Sequence, residues 1–395
     1  VADLISNRLA LECLVFSQSP KSPRPDEIQL VNAGGARIPL GVRLAGPAQG
    51  FVLAIANHTS QEYGLRAFNE LLAKAGVTAI VVPAREDAAR FVPETGQTPI
   101  FQLTEYWTPQ GIDAIASEGN VPQGAPPPPA LEKVTQEVRR LRLGAAEGFL
   151  LGGANGLSET YDAVRTSPSV MQEFRAALWS EFGEPSALGG QWASRFQAWD
   201  GLTLETIQQA ADEGFFEPWM RFCQHVDAVF LRLYGMGRDA VHAAESEASA
   251  GFSMAASREG ISPLWRETAA AIEFVAAPPD PGVMARAAAY RAPDARTVLL
   301  VPGAATPEQG RWWPWHAALH RHSGLWWNLD EGPESVLDAG GAVDPVFSEV
   351  IAQTRAVRAG FSELFLMAYP AETPIAVYDS RPSELLHGAT GQSGA

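Results

Sequence analysis

Acidic, amide and aromatic side chains cluster at the ends of the apolar runs in this sequence, where predicted strands end. These candidate site residues are Glu105, Tyr106, Asn155, Glu159, Glu245, Glu247, Glu308, Trp326, Trp327 and Asn328. A pair of carboxyl groups can divide acid–base work, one giving up a proton while the other attacks or activates water. No Ser-His-Asp pattern accompanies them. The seven histidines and two cysteines show no metal-ligand spacing, and HAALHRH (316–322) is better interpreted as a helix end than as a zinc site, so we expect neither a metal nor an organic cofactor.

The mixture of carboxylates and indoles indicates a carbohydrate ligand. Indoles stack on the apolar faces of sugar rings, and carboxylates accept hydrogen bonds from sugar hydroxyls. Eleven tryptophans in one chain fit this interpretation. Two alternatives stay open: Glu105 serves equally well in a structural salt bridge, and only one of Glu245 and Glu247 faces a ligand if they alternate along a strand.

Eight short apolar runs alternate with helical patterns and must position these side chains. The runs are 51–57, 78–84, 99–107, 148–156, 240–246, 273–279, 297–303 and 324–329. Nearly continuous apolar strands separated by helices are typical of a parallel sheet buried on both faces. The sequence therefore predicts an α/β fold, a (β/α)8 TIM barrel whose functional groups collect at the C-terminal strand ends. A doubly wound open sheet is the main rival, but no G-x-G-x-x-G motif follows any run.

The regions flanking the predicted barrel differ from it in pattern. Residues 1–47 contain short strand-like runs, one of them at 9–16, and predict a small N-terminal β attachment, while 48–340 hold the barrel. Residues 341–395 predict a C-terminal extension into a truncated α/β module, with a strand at 374–380 and a disordered Gly/Ser-rich tail. The chain begins at Val1 without an initiator methionine or an apolar signal segment, so we expect a trimmed chain.

Charge and hydropathy exclude two classes of partner. The formal net charge is −16 and no basic cluster is present, so we expect no nucleic acid partner. No apolar run reaches the roughly 18 residues of a membrane span, so we expect no membrane partner either. The compartment stays open, because two cysteines permit the cytoplasm while a polysaccharide-directed protein would suit export.

Three segments resemble the clan A glycoside hydrolases, and family 42 β-galactosidases in particular. GANGLSETYD stands where such enzymes end their fourth strand, and MQEFRAALWSEFGEPSALGGQWASRFQAWDGL is similar to the segment that follows it. GRWWPWHAALHRHSGLWWNL resembles their last helix and eighth strand. The resemblance spans roughly 50–385. It implies a barrel that acts on a β-galactoside through two glutamates, and a homo-oligomer, since family 42 enzymes are often trimers.

Both catalytic positions of the family depart from its pattern. Gly156 follows Asn155 where the acid/base glutamate is expected, and Leu300, Val301 and Pro302 occupy the end of the seventh strand. Three hypotheses follow: a hydrolase that uses Glu159 with Glu308, Glu245 or Glu247; a degenerate barrel that binds a glycan or serves as a structural domain; and a barrel with unrelated chemistry.

Overall fold

The chain divides into two units, Val1–Gln49 and Gly50–Ala395. The computed structural model describes residues 29–31, 37–39, 51–56, 66–84, 91–103, 112–113, 129–141, 146, 148–152, 156–188, 190–246, 248–253, 271–279, 295–301, 306–328, 336, 342–362 and 365. In the first unit, strand β1 (Gln29–Val31) pairs antiparallel with β2 (Arg37–Pro39). The predicted strand at 9–16 lies outside the described residues, and the 1–47 boundary stays a prediction.

In the second unit, eight parallel strands close into a barrel. They are β3 (Val52–Ala56), β4 (Ala79–Pro83), β5 (Thr98–Gln102), β6 (Gly148–Leu150), β7 (Ser249–Ser253), β8 (Phe274–Ala277), β9 (Arg296–Val301) and β10 (Gly324–Asn328). Each pairs with its neighbour in chain order, and β10 pairs with β3 to complete the ring. The predicted (β/α)8 barrel is therefore confirmed.

Helices connect successive strands on the outside of the ring. The described helices are α1 (Arg66–Ala75), α2 (Pro129–Leu141), α3 (Gly156–Thr166), α4 (Pro168–Phe182), α5 (Gly190–Arg195), α6 (Leu204–Asp212), α7 (Glu217–His242), α8 (Pro307–Leu319) and α9 (Pro345–Ala356). Their starts follow ordinary capping chemistry: the Ser167 hydroxyl accepts from the Val170 amide at the start of α4. None of the helices within these ranges is both long and apolar enough to cross a membrane.

Side chains alternate between two apolar layers along every strand. Inward residues such as Val81, Ile100 and Trp326 fill the barrel, whereas Phe101 and Trp327 point outward into the layer beneath the helices. Because both faces are buried, each strand reads as a continuous apolar run and not as an alternating one. This explains why the runs were visible in the sequence.

The predicted fifth strand at 240–246 is wrong. Helix α7 continues to His242, and the fifth barrel strand is β7, at Ser249–Ser253. Tyr234, Gly237 and Val241 lie on the buried face of α7 at helical spacing, so the apolar run belongs to the end of that helix. The segment SAGFS has little β-branched character, so it gave a weak strand signal.

Residues after the predicted boundary at 340 also pack on the barrel. Phe347 of α9 contacts Trp327 of β10, with ring centroids 5.5 Å apart. The Arg358 guanidinium donates to the carbonyl oxygens of Phe51, at 2.6 Å, and Gly76, at 3.0 Å. Burial lowers the pKa of this guanidinium. Helix α9 therefore covers the last strand, and the predicted strand at 374–380 lies outside the described residues.

Two tryptophans, one buried and one exposed, allow the contribution of core packing to stability to be measured. Trp327 is fully buried, whereas Trp179 is 65% exposed on α4. Trp327→Ala leaves a cavity, so we expect the free energy of unfolding to fall by about 3–5 kcal/mol. Trp179→Ala should change it by less than about 0.5 kcal/mol. Urea denaturation of both variants measures the difference, and equal losses would contradict this packing.

Candidate functional site

The mouth of the barrel is formed by the C-terminal strand ends. Gln102, Ser253 and Asn328 are the last residues of β5, β7 and β10, and strand alternation turns all three towards the barrel interior. Their ladder partners confirm this orientation, since Ser253 pairs with Ala276 and Asn328 with Ala56, both in the inner apolar cluster. Gln102 and Asn328 are half-buried, and Ser253 is 5% exposed. These groups are neutral hydrogen-bonding partners at the floor of the mouth.

The start of α3 lies directly against the end of β7. Gly156 has φ +39°, and a Cβ atom there would overlap the Ser253 carbonyl oxygen and lie 2.7 Å from its hydroxyl. A Cβ on Gly152 would in turn lie 3.1 Å from the Gly156 Cα. Only glycine suits this combination of a left-handed backbone and close approach. The backbone at the start of α3 is therefore packed directly against the backbone at the end of β7.

Glu159 lies in the first turn of α3 and is exposed. Leu157, Thr160 and Tyr161 form the buried face of this helix, and the Tyr161 hydroxyl donates to Asp227 at 2.7 Å. Because α3 follows β6, its first turn stands at the mouth end of the barrel. A glutamate there also complements the positive end of the helix dipole, so its position has a structural explanation.

Glu308 occupies the equivalent place in α8, which follows β9. It is exposed in the first turn, just after the N-cap Thr306. Thr306 and Gln309 form a capping box: the Gln309 amide donates to the Thr306 hydroxyl at 3.3 Å, and the Thr306 amide donates to the Gln309 side chain at 2.9 Å. The local sequence therefore fixes where the helix begins, and Glu308 with it.

Trp326 and Trp327, near the C-terminal end of β10, are both buried. Trp326 is 1% exposed inside the barrel, where its ring centroid lies 5.2 Å from that of Phe274. Trp327 is wholly buried on the opposite face of β10. Neither indole presents a ring face to a ligand in this conformation, so their predicted role in sugar stacking gains no support from the structure.

Glu245 is placed at the wrong end for the predicted role. It follows the end of α7 and precedes the first residue of β7 by four positions, so it belongs to the N-terminal side of that strand. Chemistry in parallel barrels occurs at the other end. The role predicted for Glu245 depended on the strand at 240–246, which is wrong, so that role has no support from the position of the residue. The remaining candidates, Glu105, Tyr106, Asn155 and Glu247, lie outside the described residues.

Gln102 and Ser253 were missed as candidates. Counting two residues on from buried Ile100 would have pointed Gln102 into the mouth. Ser253 was hidden by the misplaced fifth strand. Among the strand-end residues that the structure describes, none facing the barrel interior is acidic; the seventh strand, β9, presents Leu300 there, 8% exposed.

Comparison with known proteins identifies the fold. The chain is similar to the β-galactosidase of Marinomonas ef1, with a TM-score of 0.57 and 10% identity, over 80% of this chain and 62% of that one. It is similar to the Halorubrum lacusprofundi β-galactosidase, with a TM-score of 0.54 and 14% identity, over 86% and 62%. It is also similar to the catalytic domain of a Paenibacillus polymyxa β-amylase, with a TM-score of 0.52 and 11% identity, over 78% of this chain and 98% of that one.

The likeness to these solved structures shows the fold alone, a closed barrel of eight parallel strands. The chain spans about three fifths of the length of the two β-galactosidases. No family model matches it, and no curated protein does. At 10–14% identity, the likeness establishes the barrel and not the reaction.

The glycine at the start of α3 can be tested against a glycine at the start of another helix. Gly156→Ala forces a methyl group onto the Ser253 carbonyl and strains the backbone, so we expect a loss of at least about 2 kcal/mol in unfolding free energy. Gly190→Ala is the matched control, because nothing lies within 4 Å of a Cβ there. Chemical denaturation compares them. A Gly156→Ala variant as stable as Gly190→Ala would refute the contact.

Proposed function

We propose that the chain is a carbohydrate-binding barrel of the glycoside-hydrolase type that does not hydrolyse its ligand by the family's two-carboxylate mechanism. The barrel fold and its likeness to β-galactosidases support a β-galactoside as the ligand class. The observation that carries the loss of hydrolysis is the contact between Gly156 and Ser253.

From the sequence resemblance to family 42 enzymes, we expect their acid/base glutamate to correspond to Gly156. A carboxylic acid there would have to displace the Ser253 backbone, since even a methyl group overlaps its carbonyl oxygen. The positive φ of Gly156 adds strain for any other residue. The glycine is thus built into the packing of α3 on β7, and restoring a glutamate there would disrupt that packing.

The seventh strand supports the same proposal. Leu300, near the end of β9, faces inward among apolar side chains of the barrel. Glycoside hydrolysis needs one carboxyl group as a proton donor and a second as nucleophile or base. Gln102 and Asn328 offer amides in their place. Amides hydrogen-bond sugar hydroxyls in either direction but neither protonate a leaving group nor attack an anomeric carbon.

One observation favours a second candidate, a working hydrolase. Glu159 and Glu308 are both exposed, and both lie in the first turns of the helices that follow the fourth and seventh barrel strands. These are the strands on which the family carries its catalytic pair. Each glutamate is displaced by several residues, however, and a shift of about 1 Å costs on the order of a hundredfold in rate.

Binding and hydrolysis must therefore be measured together. We expect lactose and β-galacto-oligosaccharides to bind, by isothermal titration calorimetry, without release of product from chromogenic β-galactosides. Gln102→Ala removes one or two hydrogen bonds at the mouth and should weaken binding about 3–10-fold. Gln172→Ala, on the exposed surface of α4, is the matched control and should bind as the wild type.

The outcomes separate the two candidates. Turnover by the wild type that disappears in Glu159→Gln and Glu308→Gln would replace the proposal with the hydrolase. The absence of binding to any galactoside, or weakening by Gln172→Ala equal to that by Gln102→Ala, would remove the mouth as the site.

A further inference from the structure

Two histidines lie one turn apart near the end of α8, away from the groups discussed above. The His320 amide donates to the His316 carbonyl at 3.1 Å, which holds the two residues at helical spacing. Their imidazole centroids are 4.4 Å apart with the ring planes tilted by 45°. His316 is half-buried and His320 is exposed, so solvent reaches the pair from one side.

Aromatic rings surround the inner imidazole. The Trp312 and Trp313 rings lie 5.4 Å and 5.8 Å from His316, centroid to centroid. Trp312 is itself 50% exposed, one turn before His316 on the same face. The nearby cation Arg311 is bound to Glu349 at 3.0 Å, which reduces its repulsion of a second positive charge. The imidazoles thus form a fixed polar pair in a largely aromatic setting.

We propose that His316 and His320 form a binding site for a divalent first-row transition metal ion, Cu²⁺, Ni²⁺ or Zn²⁺. Neutral imidazole nitrogen is a preferred ligand of these three ions. The sequence alone led us to interpret this segment as a helix end, but the structure brings the two rings to 4.4 Å on one helix face, with the spacing that helical zinc sites use. Within the described residues, no third His, Cys, Asp or Glu joins the pair, so the proposed site has two protein ligands.

Metal binding to an imidazole uses the lone pair of a ring nitrogen. Protons compete with the metal ion for that lone pair, so we expect metal binding to weaken at acidic pH.

Binding would also stabilise the end of α8. The helix ends at Leu319, and Arg321 turns the chain with a φ of +61° before β10 begins. A metal that bridges His316 and His320 requires the last turn to be helical. An ion that binds the folded form alone raises the midpoint of thermal unfolding by mass action.

The test uses the full chain without a polyhistidine tag, with each metal salt alone. Calorimetric titration at pH 7.5 should give one site per chain, tightest for Cu²⁺ as the general order of divalent affinities requires. His316→Gln and His320→Gln should each weaken binding at least about tenfold. The metal-induced rise in melting temperature should disappear in both.

Trp312→Phe is the matched control, since it changes the same helix face and keeps both imidazoles. It should bind Ni²⁺ as the wild type does, and circular dichroism without metal confirms that each variant is folded. Undetectable binding by the wild type overturns the proposal. Binding that persists unchanged in folded His320→Gln also overturns it.

Discussion

The pairing of β10 with β3 is the constraint from which the rest of the structure follows. It removes the last free edges of the sheet and leaves each strand one face inside the ring and one beneath the helices. Side chains such as Trp326 and Trp327 are consequently buried on opposite faces of one strand. Because both faces of each strand are buried and apolar, polar groups lie at the strand ends. In parallel barrels the C-terminal ends carry the functional groups.

At the mouth, backbone packing limits this chemistry. Gly156 brings the first turn of α3 onto the carbonyl of Ser253, and a Cβ atom at this position would overlap that oxygen. The contact also positions Glu159 on the outer side of the helix, away from the buried face. One glycine thus determines how closely α3 packs against the end of β7. A sugar-binding mouth is compatible with this arrangement, because amides suffice to recognise hydroxyls.

The sequence predicted the barrel well because burial on both faces makes each strand a continuous apolar run. Seven of the eight predicted runs overlap a barrel strand; the run at 240–246 failed because an apolar helix end and a buried strand look alike over a few residues. The site was harder to predict. No local pattern shows that Gly156 touches Ser253, almost a hundred residues on, or that Trp326 is covered by Phe274. Such contacts depend on strand register, which a single sequence leaves unspecified.

A crystal structure of the wild-type chain soaked with an intact β-galactoside tests the central claim most directly. Our account predicts an uncleaved glycoside held in the mouth near Gln102 and Asn328, with Gly156 in contact with the Ser253 carbonyl. A cleaved sugar, or one bonded to the carboxyl group of Glu159 or Glu308, would contradict it.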